Sequence, residues 1–286
     1  MLSFMVANLI TDEDCFDVPS QYGGWHFSKA PRYNENINHL DKKCANTFIA
    51  EHSDKIFPFL DDNEFPTLCD EMIDTCLILS FLTAKCVSVS GCHSSSDVHF
   101  VSLGDKFIRP RAIAGFPKLD RITSLNDIFA AGIQHYQSLM KQRLLRLFIS
   151  HWISALTCFT MEDIFAFLCI DMDIVKQCEL LPNENDVAYF EGMKRASARY
   201  KLNALTNDYK NMRNDLIHYG MLSAKNNPNK SKGQCANIIA DVLGWIDSYV
   251  LAVLSMSARF RATLRWRQKD IENGLPSISL SKLSGI

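Results

Sequence analysis

Asn211-Met212-Arg213-Asn214-Asp215-Leu216-Ile217-His218-Tyr219-Gly220 decides how this 286-residue chain is read. Its apolar positions end a seam made of Ala198, Leu202, Leu205, Tyr209, Met212, Leu216 and Tyr219, spaced alternately by four and three. That alternation keeps one face of a helix apolar and predicts a long helix over residues 186–219. A second seam, Ile239, Val242, Ile246, Tyr249, Val253, Met256 and Phe260, has the same spacing and predicts a last long helix over 235–269. The polar run over 225–233 between them reads as an exposed loop.

Upstream, Ser124 with Asp127 and Thr160 with Asp163 have capping-box spacing. They predict helices over 124–157 and 160–179, and Leu181-Pro182-Asn183 breaks the chain after the second. Four helices with short connections describe an antiparallel bundle. A long coiled coil is the rival, but each seam lasts only about three repeats.

Residues 1–120 read differently, as mixed α and β. Short strand candidates are residues 4–9, Trp25-His26-Phe27, residues 86–90, residues 98–101 and Phe107-Ile108. A helix over 68–85 sits among them, its start marked by Thr67 with Asp70 three residues on. Pro110, Gly115 and Pro117 then mark a linker. The expected class is α+β: a smaller mixed N-terminal domain, 1–120, before a helical domain, 121–286.

The net charge of −2 conceals an asymmetry. Residues 1–120 carry 10 basic and 17 acidic side chains, net −7; residues 121–286 carry 20 and 15, net +5. The basic half is the candidate for polyanion contact. No basic stretch precedes the short apolar run near the N-terminus, and the apolar run over 144–159 is interrupted by Arg146, His151 and hydroxyls. Neither reads as a leader or a membrane span, so a cytoplasmic setting is expected. The ten Cys show no zinc spacing and read as reduced core thiols. No metal and no cofactor is expected: P-loop, dinucleotide-binding, His-Glu-x2-His and Gly-x-Ser-x-Gly patterns are all missing from the sequence.

Arg213, Asn214 and His218 supply what metal-free phosphodiester cleavage needs. An arginine can grip a phosphate through its planar fork, and a histidine moves protons near neutral pH. Arginine followed by histidine at similar spacing also occurs at Arg32/His39, in a stretch with Pro31 and several Asn, and at Arg146/His151, where the gap is filled by apolar residues and a serine. Only Arg213 has an amide directly after it. With Leu216 set at zero, Asn207, Asn211, Asn214 and His218 fall at about 160–220°, taking about 100° per residue. His218 thus points away from the apolar seam, at the end of an amide stripe. Arg213 also reads as one half of a surface ion pair with Asp208 or another acid, and Asp215 as a plain solvated residue.

The Arg-Asn-x3-His pattern followed by Gly resembles the R-x4-6-H signature of the HEPN superfamily. The resemblance covers about residues 124–269, and the mixed region before it looks most like the ApeA-type group of anti-phage defence. It implies a helical bundle and a metal-independent endoribonuclease that cuts RNA by 2′-hydroxyl transesterification, with Arg213, Asn214 and His218 as the catalytic set. It also implies a homodimer in which two copies of the motif meet. Some toxins of the family are neutralised at a tyrosine two residues after the histidine; Gly220 stands there, so that regulation is not implied.

For substrate binding, Asn207 and Asn211 lead up to His218. Arg259, Arg261, Arg265 and Arg267 interleave with Phe260 and Trp266, as suits backbone phosphates and stacked bases. The same segment also reads as a helix end whose cations complement the macrodipole. The alternative function is a non-catalytic HEPN module for RNA binding or dimerisation. The acidic N-terminal region is left to a regulatory ligand or protein.

Overall fold

The computed structural model describes residues 1–38, 40, 45–56, 60, 63–93, 98–99, 123–257 and 271. The protein is α+β, and the described residues divide into two compact units, 1–99 with 123–141, and 142–257 with 271. The expected linker residues and Phe107-Ile108 lie outside the described residues.

The first unit is built on one antiparallel sheet. Strands β1 (Ser3–Ala7), β2 (Cys15–Ser20), β3 (Gly23–Lys29), β4 (Asn46–His52), β5 (Ser88–His93) and β6 (Val98–His99) take the order β2-β3-β4-β1-β5-β6. Between β3 and β4 lies a single-turn helix, α1 (Tyr33–Ile37). β2 and β4 were not expected. β2 carries Pro19 and is the edge of the sheet, where a missing N–H costs nothing. Phe16 and Val18 point inward from β2, and Phe16 stacks on its cross-strand partner Phe27 with centroids 4.6 Å apart.

Helix α2 (Glu64–Thr83) covers the sheet and starts earlier than Thr67 implied. Thr67 lies inside it, its hydroxyl donating to the Asn63 carbonyl at 2.9 Å rather than capping. Helices α3 (Leu125–Phe129) and α4 (Ile133–Gln142) complete this unit. The capping box of Ser124 and Asp127 forms, but the expected helix over 124–157 is interrupted twice. Gly132, at φ 79°, breaks it after α3, and Leu144, at φ 52°, breaks it after α4. Both short helices belong to the sheet: Glu13 accepts from the Leu125 N–H, Gln134 donates to Glu71 at 2.6 Å, and Phe129 stacks near Phe16. The helical unit therefore begins at 142, not at 121.

The second unit holds α5 (Leu145–Leu156), α6 (Met161–Cys178), α7 (Tyr189–Tyr200), α8 (Asn207–Tyr219) and α9 (Lys232–Val253). α6 is central and packs against the other four. Thr160 caps it as expected, accepting from the Asp163 N–H at 3.1 Å. Gly192 lets α7 approach α6 closely, since a Cβ there would lie 2.9 Å from Lys176 Cα. α9 opens on a capping box of Ser231 and Gln234 and carries the second seam into the core, where Ile239, Val242, Ile246 and Tyr249 are fully buried. It is long and apolar enough to span a membrane, but 72% of its apolar window is buried inside the protein.

Both long helices of the sequence reading are shorter in the structure. The expected 186–219 helix is two helices: Lys201, at φ 55°, ends α7, and Thr206 precedes α8. Leu202 and Leu205 fall in the connection, Ala198 and Tyr219 are exposed, and only Tyr209 and Met212 of the seam are fully buried. α9 stops at Val253, where Ser255 turns left-handed at φ 57° and the Met256 N–H reaches back to the Leu251 carbonyl at 2.7 Å. That is the glycine-type helix stop made by a serine, invisible to a search for glycine.

Candidate functional site

α8 carries Asn207, Asn211, Arg213, Asn214 and His218. Asn207 opens the helix and is exposed; Asn211 and Asn214 are half-buried; His218 is exposed in the last turn. The exposed side chains of Ile217 and Tyr219 flank it. Gly220 ends the helix two residues later in the left-handed conformation at φ 68°, its N–H bonded to the Leu216 carbonyl at 2.9 Å. His218 has no hydrogen bond to a described residue, and among the described aromatic rings its ring meets that of Tyr219, edge-on at 6.3 Å. Arg259, Arg261, Arg265, Trp266 and Arg267 lie outside the described residues, as does His39 of the first spacing match.

Arg213 lies inward of this exposed edge. Its side chain is 21% exposed and lies on the Tyr189 ring, with Cζ 3.8 Å from the ring centroid. Its expected partner Asp208 is taken by Lys230 at 2.9 Å. The acid near Arg213 is Asp173 of α6, 3.6 Å from Nη2, outside hydrogen-bonding distance. The buried Nε has no acceptor among the described residues. A guanidinium carries five donors and cannot lose its charge. Here the cation is held in place with no hydrogen bond to a described residue, its charge balanced by Asp173 at ion-pair distance.

Asp215 corrects the sequence reading most sharply. It is fully buried, not solvated. Its Oδ2 accepts from the backbone N–H of Ala224 and of Asn227, and its Oδ1 from the backbone N–H and side-chain amide of Asn226, all at 2.8 Å. Burial alone would raise its pKa; the bonds from Asn226, Ala224 and Asn227 outweigh it and hold the carboxyl below the usual range. The polar run after α8 is therefore folded around the motif helix. Ser223 continues the cage, donating to the Asn227 carbonyl at 2.7 Å. One sequence signal was available: an acid near a helix C-terminus opposes the macrodipole, and its presence calls for local donors. Tyr189 and Asp173 carried no such signal, because they reach Arg213 from other helices.

The Arg146/His151 match is also more than a buried coincidence. His151 on α5 places Nδ1 3.5 Å from Oδ1 of Asp171 on α6, and Asp171 is fully buried. Burial pushes the Asp171 carboxyl up to about 7 against the opposing pull of His151, and the contact with Asp171 raises the imidazole in turn. Both groups bind protons more tightly folded than unfolded. Stability from this pair is present at low pH and is lost as pH rises through about 7. Between pH 5 and 8 the wild type is expected to lose several degrees of Tm relative to Asp171→Asn, a difference on the order of 1–4 kcal/mol. Parallel Tm profiles for the two proteins would refute this linkage. Asp171 and Asp173 stand two residues apart on α6, so this pair and Arg213 project from opposite sides of it.

Six of the cysteines, Cys69, Cys76, Cys86, Cys92, Cys169 and Cys235, are buried thiols, as core cysteines should be. No match to this chain was found among protein-family models, curated proteins or solved structures.

Proposed function

We propose that the helical unit is a HEPN-type, metal-independent endoribonuclease acting in anti-phage defence or as a toxin. The observation that carries this reading is Arg213: a largely buried guanidinium with no hydrogen-bond acceptor among the described residues, on the same helix as an exposed His218. In the reaction the 2′-oxygen forms a bond to the adjacent phosphorus and the P–O5′ bond breaks, leaving a 2′,3′-cyclic phosphate and a 5′-hydroxyl. His218 takes the 2′-proton, and a second imidazole from a twofold-related chain protonates the leaving oxygen. Arg213 offers its open donors to the charge that builds on the phosphorane, and Asn214 orients the site. The net +5 of residues 121–286 supports an RNA partner, and the setting proposed is cytoplasmic.

The test is incubation of the purified chain with mixed RNA in EDTA, followed by analysis of the new ends. Cyclic-phosphate ends support the reading; intact RNA overturns it. One observation favours the non-catalytic module instead: no described residue hydrogen-bonds His218 to fix its tautomer, as a general base ordinarily requires. A twofold partner would answer that need.

Dimerisation is thus part of the proposal. Ile217 and Tyr219 are 54% and 47% exposed on either side of His218, an apolar rim around a polar centre. A self-complementary contact would bring two such rims together. Light scattering at micromolar concentration is expected to give a dimer, and Ile217→Glu a monomer with lost cleavage. A wild-type monomer with full nuclease activity would contradict it.

A further inference from the structure

We infer that Tyr189 is the positioning residue for Arg213, holding the guanidinium plane against its ring so that the free edge faces an incoming phosphate. The catalytic consequence rests on the ribonuclease reading above; the placement does not.

Tyr189 is the first residue of α7, and Arg213 lies midway along α8. At 3.8 Å from Cζ to the ring centroid, the cation is well inside the range of about 6 Å over which an aromatic face attracts it. The guanidinium has no hydrogen bond to a described residue that could fix its orientation, and its Nε is buried without a partner. Among the described residues, the acid near it is Asp173, at 3.6 Å and half exposed. The ring is therefore the main surface that sets the plane of the cation.

The ring is itself fixed. The Tyr189 hydroxyl donates to the Cys169 carbonyl on α6 at 3.2 Å and is hydrogen-bonded to the Tyr209 hydroxyl. Tyr209 is buried, with its ring edge-on to Phe165 of α6 at 5.7 Å. Burial pushes the hydroxyls of both tyrosines far above their usual range, so both remain neutral donors at physiological pH. Tyr209 lies one helical turn before Arg213 on α8. The residue that pins the ring and the residue that rests on it thus share one face of one helix. Asp173 flanks Nη2 at ion-pair distance, 3.6 Å, and a phosphate that reaches the cation on that side must displace it.

The test uses the full chain with ¹⁵N-labelled arginine. Tyr189→Phe keeps the ring and loses the hydroxyl; Tyr189→Leu loses the ring. The Arg213 Nε–Hε resonance, assigned with Arg213→Lys, is expected at a ring-shifted position in wild type and Tyr189→Phe and at an ordinary one in Tyr189→Leu. In RNA cleavage, Tyr189→Leu is expected to lower kcat about tenfold or more with a smaller change in KM, because the group it misplaces acts on the transition state. Tyr189→Phe should stay within about threefold of wild type, rescuing the ring's part of the function. Should Tyr189→Leu fail to fold, Tyr189→Met, which fills the space without a ring, is expected to show the same loss of the ring shift and of kcat.

An unchanged resonance in Tyr189→Leu overturns the proposal. So does cleavage at the wild-type rate by Tyr189→Leu while Arg213→Ala is inactive, and in that case the ribonuclease reading stands. If the resonance behaves as expected but wild type cuts no RNA, the ribonuclease reading falls and the placement of Arg213 by Tyr189 stands.

Discussion

His218→Ala and Arg213→Ala are each expected to reduce RNA cleavage by about 10²-fold or more while leaving the helical circular dichroism signal intact. The two losses have different causes. His218 is exposed in the last turn of α8 and has no hydrogen bond to a described residue, so its removal orphans no described donor. What disappears is the proton carrier, and kcat should fall with little change in KM. Arg213 is largely buried on Tyr189, so its removal also opens a gap against the ring. A modest fall in Tm should therefore accompany Arg213→Ala but not His218→Ala. His151→Ala serves as the comparison: it disturbs the pairing with Asp171 on the far side of α6 and should alter stability rather than chemistry. Cleavage at the wild-type rate by both α8 variants would end the assignment.

The largest effect on stability is expected from Asp215→Ala. The carboxylate accepts four hydrogen bonds in a fully buried position, and three of the donors are backbone N–H groups that cannot turn elsewhere. Of the three, only the Asn227 N–H belongs to a buried residue; a buried donor left without an acceptor costs roughly 1–3 kcal/mol, and the others lose charge-assisted bonds that water replaces in part. A net loss of about 3–5 kcal/mol follows for the set. Asp215→Asn keeps one oxygen and should fall between. Because the folded-state pKa of Asp215 is lowered, its contribution is present above the unfolded value of about 4 and is lost as pH falls through the folded value. Thermal unfolding at neutral pH checks the first claim. A Tm for Asp215→Ala within a degree of wild type would show that the cage contributes nothing.

What could be read from the sequence depended on whether one local pattern carried the information. The Ser124 and Thr160 caps were legible because a hydroxyl accepting from the N–H three residues on satisfies each helix start locally; the carboxylate closes the full box at Ser124 alone of the two. The α9 seam was legible because its apolar period persists over many turns. The α7–α8 seam misled. Leu202 and Leu205 keep the helical period while Lys201 adopts a left-handed conformation that no periodicity reports. The same holds at Leu144. Ser124 opens a helix as expected, yet the helix joins the sheet, because that choice is made by Glu13, Glu71 and Phe16 more than fifty residues away in sequence. At the candidate site, the exposed face of His218 followed from phase alone. The surroundings of Arg213 did not, since Tyr189 and Asp173 arrive from separate helices, and Asp215 found its donors in a loop that composition alone described as solvated.

The interruption at residues 201–206 has a consequence for how the chain can vary. In one continuous helix, inserting a residue upstream rotates everything after it by about 100°. Arg213 and His218 would then turn away from their surroundings with each change of length before them. With α7 closed at Lys201 and α8 begun afresh after Thr206, the short connection absorbs such changes. The direction of the motif helix is inherited from its own packing on α6 and α9, and the length of the segment before it is free to drift.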